Sequence, residues 1–447
     1  MTAVALNSGA FFPINMSFVS FYCLTFFERF SVFSAGGVSL ARNYHKTVGL
    51  ARTFFRIFLI LFALSDFSSL KKEKMGAKMG GMEENRSKSG QKNGRMVSLD
   101  ALRGLDMLFI IGLDALVYRL APLYPDSAAW RMIREQMGHR AWEGLTVYDM
   151  IFPLFVFLAG VSMSFSLRRQ MSSGCSAGRI LRKLWWRALV LVVLGWVING
   201  PLSWDTSQMR YASVLGLIGL SGAMAGSWIV LSRSRLKGAI IGAAVILAAV
   251  GAAQGLGGNM TPCGCFNSKV DTLLCPGVLH SGCYDPEGPL CILSAGALSL
   301  LGYATGLHLT RQDMGTFKRC VLLLGAGAFL LGVGIQLPLI KGIWTPGFVL
   351  SCGGIGMLLL GVLHPLTDVQ GITAWCKPLV IVGSNALFIY MVTHLISFTA
   401  LAERLSCGVL RHVLPAELLP AGYAAGALVL AWLLCLFLYR RGIFIRL

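Results

Sequence analysis

The sequence predicts an all-α protein, a polytopic transmembrane helix bundle of about ten spans, with both ends of the bundle on the inner side (N-in and C-in). Three observations predict this class. Apolar residues make up 55% of the 447 residues and charged residues only 13%, whereas a soluble domain carries roughly a quarter charged residues. The mean hydropathy is +0.68. Long apolar stretches recur from Leu105 to Leu438, many of them near the ~20 residues that cross the hydrocarbon core of a bilayer.

Short polar loops separate the predicted spans. The spans cover residues 104–122, 150–167, 184–200, 211–231, 238–257, 290–309, 320–338, 347–365, 378–397 and 421–439. Loops assigned to the inside hold about twice as many Lys and Arg residues as loops assigned to the outside, which predicts the orientation. The net charge of +19 is therefore interpreted as a set of orientation signals in the lipid bilayer. We expect no nucleic-acid partner.

The first 81 residues do not follow this pattern, because their apolar segments are interrupted by charge or are short for a span. We interpret residues 1–81 as a non-native extension, or alternatively as one extra membrane anchor. In the first interpretation translation starts at one of three methionines, Met75, Met79 or Met82. Under both interpretations residues 82–103 form a basic cytoplasmic tail and residues 104–447 form the transmembrane domain.

Cysteines cluster in one predicted outer loop, residues 258–289. The loop contains Cys263, Cys265, Cys275 and Cys283. An oxidising compartment would permit disulfides between them, and the spacing leaves open whether they form. Cys263 and Cys265 are too close for a CxxC redox or zinc motif, so we predict no metal site.

Ionisable residues at the edge of a membrane are costly, so each one is a functional candidate. The predicted topology gathers six of them near the outer face: Asp114, His139, Asp149, Asp285, Glu287 and His394. Carboxylates can attract a cationic amine and orient an imidazole, and a histidine can accept a proton or an acyl group. At the inner face Arg182, Lys183 and Arg187 can meet a nucleotide phosphate, or can serve only as topology signals.

Five segments, in order along residues 95–447, resemble the heparan-α-glucosaminide N-acetyltransferase catalytic-domain family and its bacterial relatives. The segments are Arg95–Asp106 (RMVSLDALRGLD), His139–Met163 with its HRAWEGLTVYDMIFP opening, Asp285–Gly288 (DPEG), Leu337–Thr345 (LPLIKGIWT) and Gly383–Tyr390 (GSNALFIY). The resemblance implies a membrane-embedded acyltransferase with acetyl-CoA as co-substrate and an amino sugar as acceptor. It further implies that the acetyl group passes from the cytosol to the periplasmic side of a bacterial inner membrane.

The resemblance also implies residue roles. His139 precedes the Trp-x-Gly-Leu-Thr motif and matches the proposed catalytic histidine of the family. Asp149 and Asp114 are its candidate catalytic partners because the predicted topology places these carboxylates near the same face. Asp114 is a departure, because the lysosomal enzyme of the family has an asparagine there. Asn385 and Trp142 are candidate donors to the substrate oxyanion.

Several alternatives stay open at this point. The acetyl group can pass through an acetyl-His139 intermediate, or an amine can attack the thioester directly while His139 removes its proton. An O-acyltransferase of a cell-envelope glycan would use similar chemistry on a hydroxyl group. A transporter of a sugar or lipid-linked intermediate belongs to another class. A homodimer is also left open.

Overall fold

The structure, a computed structural model, describes residues 96–199, 208–232 and 235–445 of the chain. Within these ranges it contains fifteen α-helices and no β-strand, only two isolated bridges, Glu143 with Ile340 and Arg210 with Gly277. The all-α prediction is therefore confirmed. The predicted extension 1–81 lies outside the described residues, as does the predicted tail up to residue 95.

The helices are numbered here in chain order. They are α1 (Val97–Leu108), α2 (Asp114–Leu120), α3 (Ala128–Gln136), α4 (Val147–Ser172), α5 (Ala177–Asn199), α6 (Val214–Leu231), α7 (Arg235–Gly257), α8 (Phe266–Leu274), α9 (Pro289–Leu309), α10 (Thr316–Gly334), α11 (Pro346–His364), α12 (Lys377–Gly383), α13 (Ala386–Leu395), α14 (Phe398–Val413) and α15 (Leu419–Arg440). A π-helical turn, Phe109–Leu113, joins α1 to α2.

Among the described residues, seven helices are long and apolar enough to cross a membrane, namely α4, α6, α7, α9, α10, α11 and α15. Helices α12 and α13 add an eighth span if they are counted together, although they are bent by 70°. The remaining two predicted spans are helical as well. One is divided by the π-helical turn after α1, and the other is α5, which carries four cationic side chains. The count of about ten and the orientation remain predictions.

The last part of the predicted basic tail, up to residue 103, is helical. Helix α1 already begins at Val97. The carboxylate of Asp368 accepts hydrogen bonds from the backbone N–H groups of Val97 (2.6 Å) and Ser98 (3.3 Å). These are the N–H groups that a helix start leaves without partners, so the carboxylate stabilises the early start.

Helix α9 lies at the centre of the bundle and packs against α4, α6, α7 and α11. Its contact with α4 is unusually close, because small residues face each other. A Cβ atom added to Gly302 would lie 2.1 Å from the Phe157 carbonyl oxygen, and one added to Gly160 would lie 2.1 Å from the Ser299 carbonyl oxygen. Small residues let helix backbones approach closely in membranes. This contact fixes α4, whose first turn carries the candidate site.

The loop between α7 and α9 contains the short helix α8 and one disulfide bond, Cys263–Cys283. Cys265 and Cys275 are free. The open question about the cysteines is thus answered with a single bridge. Helix α8 was not anticipated in the sequence, and neither were α3 and α14.

Candidate active site

The first turn of α4 positions a buried carboxylate. Thr146 is the N-cap residue, and its hydroxyl accepts a hydrogen bond from the Asp149 N–H group (3.2 Å). In return Oδ2 of Asp149 accepts from the Thr146 N–H group (3.3 Å), which completes a capping box. The Asp149 side chain is only 1% exposed. Its second oxygen, Oδ1, is left to face the preceding loop.

His139 lies on that loop and contacts this carboxylate directly. The His139 Nδ1 atom is 2.7 Å from Oδ1 of Asp149. An ionised carboxylate can only accept hydrogen bonds, so Nδ1 carries the proton and the lone pair of Nε2 is available for chemistry. The His139 side chain is 56% exposed. An external substrate can therefore reach the imidazole ring, and Asp149 holds the ring from its buried side.

Asp114 is connected to His139 only through Tyr148. The Tyr148 hydroxyl donates a hydrogen bond to Oδ2 of Asp114 (3.0 Å), and the Tyr148 ring packs against the imidazole at 4.8 Å between centroids. The structure therefore places Asp114 behind the tyrosine, at a position where it orients Tyr148.

Lys341 is a third member of the cluster that was not identified from the sequence as a site residue. Its Nζ atom lies 3.0 Å from Nδ1 of His139 and 3.1 Å from Oδ1 of Asp149. Burial lowers the pKa of Lys341, and the neighbouring Asp149 carboxylate offsets this only in part. The only available sequence signal was its place in the LPLIKGIWT segment.

Two backbone contacts bring Lys341 to the histidine loop. The Gly144 N–H group donates to the Leu339 carbonyl (2.8 Å), and Glu143 forms the isolated bridge with Ile340. Gly144 has a φ of 120°, a left-handed conformation that is readily adopted only by glycine. Glu143 and Gly144 thus hold the loop that carries His139 against the turn that carries Lys341, although these two segments are far apart in the sequence.

Asp285 and Glu287 form a second cluster, around Arg210. Asp285 accepts two hydrogen bonds from the Arg210 guanidinium (2.8 and 2.6 Å) and one each from the backbone N–H groups of His280 and Glu287 (both 3.0 Å). Burial works against ionisation of Asp285, but the Arg210 ion pair outweighs it and lowers the pKa of the carboxyl. The carboxylate oxygens of Asp285 already accept these four hydrogen bonds and leave few acceptor positions for a substrate. Its structural role is therefore to orient Arg210.

Glu287 contacts both of its neighbours in this cluster. Its Oε2 atom accepts from Arg210, and its carboxyl lies close enough to that of Asp285 for a side-chain hydrogen bond. Burial raises the pKa of Glu287 to about 7, with Arg210 opposing the change. Near neutral pH this carboxyl can therefore either accept or release a proton.

Two residues with a predicted oxyanion role already use their polar groups elsewhere. The indole N–H of Trp142 donates to the Met260 carbonyl (2.7 Å). The Asn385 amide donates to the Ile443 carbonyl (3.0 Å) and accepts from the Ile445 N–H group (2.9 Å). Trp142 therefore joins the loop before α4 to the loop between α7 and α8, and Asn385 holds the segment after α15. Neither is brought to His139 as a free donor.

His394 closes α13 with an exposed ring. Its Nδ1–H group donates to the Tyr390 carbonyl (2.8 Å), and the two rings are 4.3 Å apart. Tyr390 in turn lines a small apolar cavity of about 20 Å³, together with Met107, Ile110 and Phe155. The structure thus places His394 beside this cavity and does not bring it into hydrogen-bond contact with His139.

The three basic residues of α5 that were predicted to meet a nucleotide phosphate differ in their surroundings. Arg182 and Lys183 are exposed. Arg187 is partly buried, and its Nε atom is enclosed without a hydrogen-bond partner among the described residues. Only Arg187 therefore offers a cationic group directed into the bundle. The described residues contain no group of three or more His, Cys, Asp or Glu side chains placed to hold a metal ion.

Comparison with known proteins bears on the first half of the described chain. Residues 95–267 match the family described as heparan-alpha-glucosaminide N-acetyltransferase, catalytic. The chain is 25% identical to heparan-alpha-glucosaminide N-acetyltransferase from Homo sapiens, over 66% of this chain and 52% of that protein. The Mus musculus protein of the same name is 24% identical, over 66% of this chain and 53% of its own length. The chain spans about half the length of these curated relatives. The resemblance predicted from the sequence motifs is confirmed, and the match contains His139 and Asp149.

Proposed function

We propose that this protein is a multi-pass membrane N-acetyltransferase. The proposal takes residues 95–267 as a member of the heparan-alpha-glucosaminide N-acetyltransferase catalytic family. The protein moves an acetyl group from acetyl-CoA on the inner side of a bacterial inner membrane to the amine of an amino sugar on the outer side. The observation that carries the proposal is the His139–Asp149 pair at the first turn of α4, because the 2.7 Å contact with the carboxylate favours the tautomer with a proton on Nδ1 and a free Nε2.

Two chemical routes use the same Nε2 atom. In direct transfer the amine attacks the thioester carbonyl, a C–N bond forms, the C–S bond breaks, and Nε2 takes the proton that the amine loses. In covalent transfer Nε2 first attacks the carbonyl and forms acetyl-His139, and the amine then attacks this intermediate. In both routes the CoA thiolate leaves. Asp149 stabilises the positive charge that develops on the imidazole, as the carboxylate of a catalytic triad does.

The acceptor amine is protonated near neutral pH, and it must lose one proton to expose its lone pair before it can attack. Glu287 is suited to accept this first proton, because burial raises its pKa to about 7. A carboxyl with a pKa near the working pH is an efficient general base. The Asp285–Arg210 pair holds Glu287 in place through the ion pair between Arg210 and Glu287.

The donor is proposed to approach through the bundle beside α1 and α4. A cavity is lined by Met107 of α1 and Phe155 of α4, and Arg187 supplies a cationic group for a nucleotide phosphate. The cavity of about 20 Å³ is too small for the pantetheine arm of acetyl-CoA, so donor binding must widen it.

The acceptor class can be tested with two sugars that differ at a single group. Purified protein is incubated with labelled acetyl-CoA and either glucosamine or glucose, which carries a hydroxyl in place of the amine. We expect labelled product from glucosamine only. Equal acetylation of glucose would identify an O-acyltransferase instead. Uptake of sugar into vesicles without any acetyl transfer would identify a transporter.

A further inference from the structure

The pairing of His139 with Asp149 creates a problem for a base or nucleophile. An opposite charge within hydrogen-bond distance favours the charged form of a titratable group. A carboxylate that is 1% exposed and 2.7 Å from Nδ1 therefore favours an imidazolium ring. A ring that is already protonated on Nε2 can neither accept the proton of an amine nor attack a thioester.

We propose that Lys341 is a positioning residue that offsets the attraction of Asp149 for positive charge on the His139 ring, so that Nε2 keeps its lone pair. The Lys341 ammonium donates to the same Oδ1 atom that accepts from His139 (3.1 Å), so it neutralises part of the carboxylate charge. It also places a positive charge 3.0 Å from Nδ1. Nδ1 already carries a proton. The nearby ammonium group of Lys341 therefore disfavours a second proton on the ring, which would make the imidazole positively charged. The inference rests on the proposed role of His139, but the ionisation of the ring can be measured without acetyl transfer.

The turn that carries Lys341 is held by other groups. The Thr345 hydroxyl accepts from the Ile340 N–H group (3.1 Å) and donates to the Pro338 carbonyl (2.6 Å). Trp344, which is 1% exposed, packs edge-on against Phe348. The ammonium group is therefore not needed to form the turn, and its removal can be studied in a folded protein.

Other charged and titratable groups surround the pair from each packed element. They are Asp149 and Tyr148 on α4, Asp114 on α2 behind Tyr148, Arg140 on the histidine loop, His280 and Glu287 from the outer loop, and Cys352 on α11. A protonated His280 disfavours charge on His139, as Lys341 does, whereas Glu287 acts mainly by attracting Lys341. Lys341 is the only one of these cations within hydrogen-bond distance of the imidazole in the part of the chain that the structure describes.

The ionisation of His139 can be read from its reaction with diethyl pyrocarbonate, which acylates the unprotonated imidazole. The full-length protein in lipid nanodiscs is labelled over a range of pH, and the rate at His139 is followed by peptide mass spectrometry. Exposed His412 serves as the internal reference. In Lys341→Met the pH midpoint of the His139 reaction should rise by about one unit or more, the size of shift that a nearby charge produces. Lys341→Gln keeps a hydrogen-bond donor but no charge, and should give the same rise.

Two further variants complete the test. Lys341→Arg keeps the charge and should keep the wild-type midpoint. Lys269→Met, a change on the exposed face of α8, is the matched control and should leave it unchanged. The proposal is overturned if the midpoint is the same in wild type, Lys341→Met and Lys341→Gln, or if it falls in the last two. Absence of acetyl transfer in the wild type would instead defeat the proposed function and leave this result intact.

Discussion

Replacing His139 with alanine should reduce acetyl transfer to the amino sugar by at least about 10²–10⁴-fold, the contribution of one general base. The reduction should be larger if Nε2 carries the acetyl group, because alanine leaves no nucleophile. His139 lies on a loop with a side chain that is 56% exposed, so its removal should not unfold the bundle. The measurement is the initial rate with labelled acetyl-CoA at saturating acceptor.

His412→Ala is the control for this change, since His412 is an exposed residue at the end of α14. We expect it to retain wild-type turnover. If His139→Ala also retained turnover, the catalytic assignment of His139 would be wrong. Label that stays on the wild-type protein in the absence of acceptor, and is absent from His139→Ala, would identify the covalent route.

The second large effect is expected for Asp149→Asn. The equivalent change in the triad of a serine protease lowers kcat by about 10⁴-fold because it stabilises the wrong tautomer. Here the asparagine amide would donate to Nδ1 of His139, so Nε2 would carry the proton and lose its lone pair. We expect kcat to fall by about 10³-fold or more, with a smaller change in KM. The readout is the separate determination of kcat and KM.

Asp149 also belongs to the capping box of α4, so stability must be followed in parallel. Loss of a helix cap costs about 1 kcal/mol, which should lower the thermal unfolding temperature only slightly. Asp313→Asn, which removes an exposed carboxylate paired with Arg311, is the matched control for charge. A variant Asp149→Asn that is folded and as active as the wild type would contradict the assigned role of the carboxylate.

The sequence was most informative about the helices and least informative about their interruptions. Each predicted span is helical over most of its length, because apolar length and loop charge are local properties of the chain. The bend between α12 and α13 was not predicted, and neither was the π-helical turn after α1. These features depend on contacts between distant helices. Gly383, at the end of α12, packs against the Asp100 carbonyl, and Gly104 on α1 packs against Leu379.

The candidate site was predictable where its residues are close in sequence. His139 and Asp149 are ten residues apart, and the Thr-x-x-Asp spacing at Thr146 is a recognisable capping signal. Lys341 is 202 residues from His139 and reaches it only through the contacts of Gly144. No pattern in the sequence indicates those contacts. The same limit applies to Asn385, whose amide is used by a segment 58 and 60 residues further along the chain.

We propose that the acetyl group crosses the bilayer. This transfer can be tested with the protein reconstituted in vesicles of known orientation. Labelled acetyl-CoA is supplied on one side and glucosamine on the other. We expect acetylated sugar only when acetyl-CoA has access to the face that carries the C terminus and glucosamine has access to the face that carries His139. Full activity with both substrates confined to a single side would contradict transfer across the membrane.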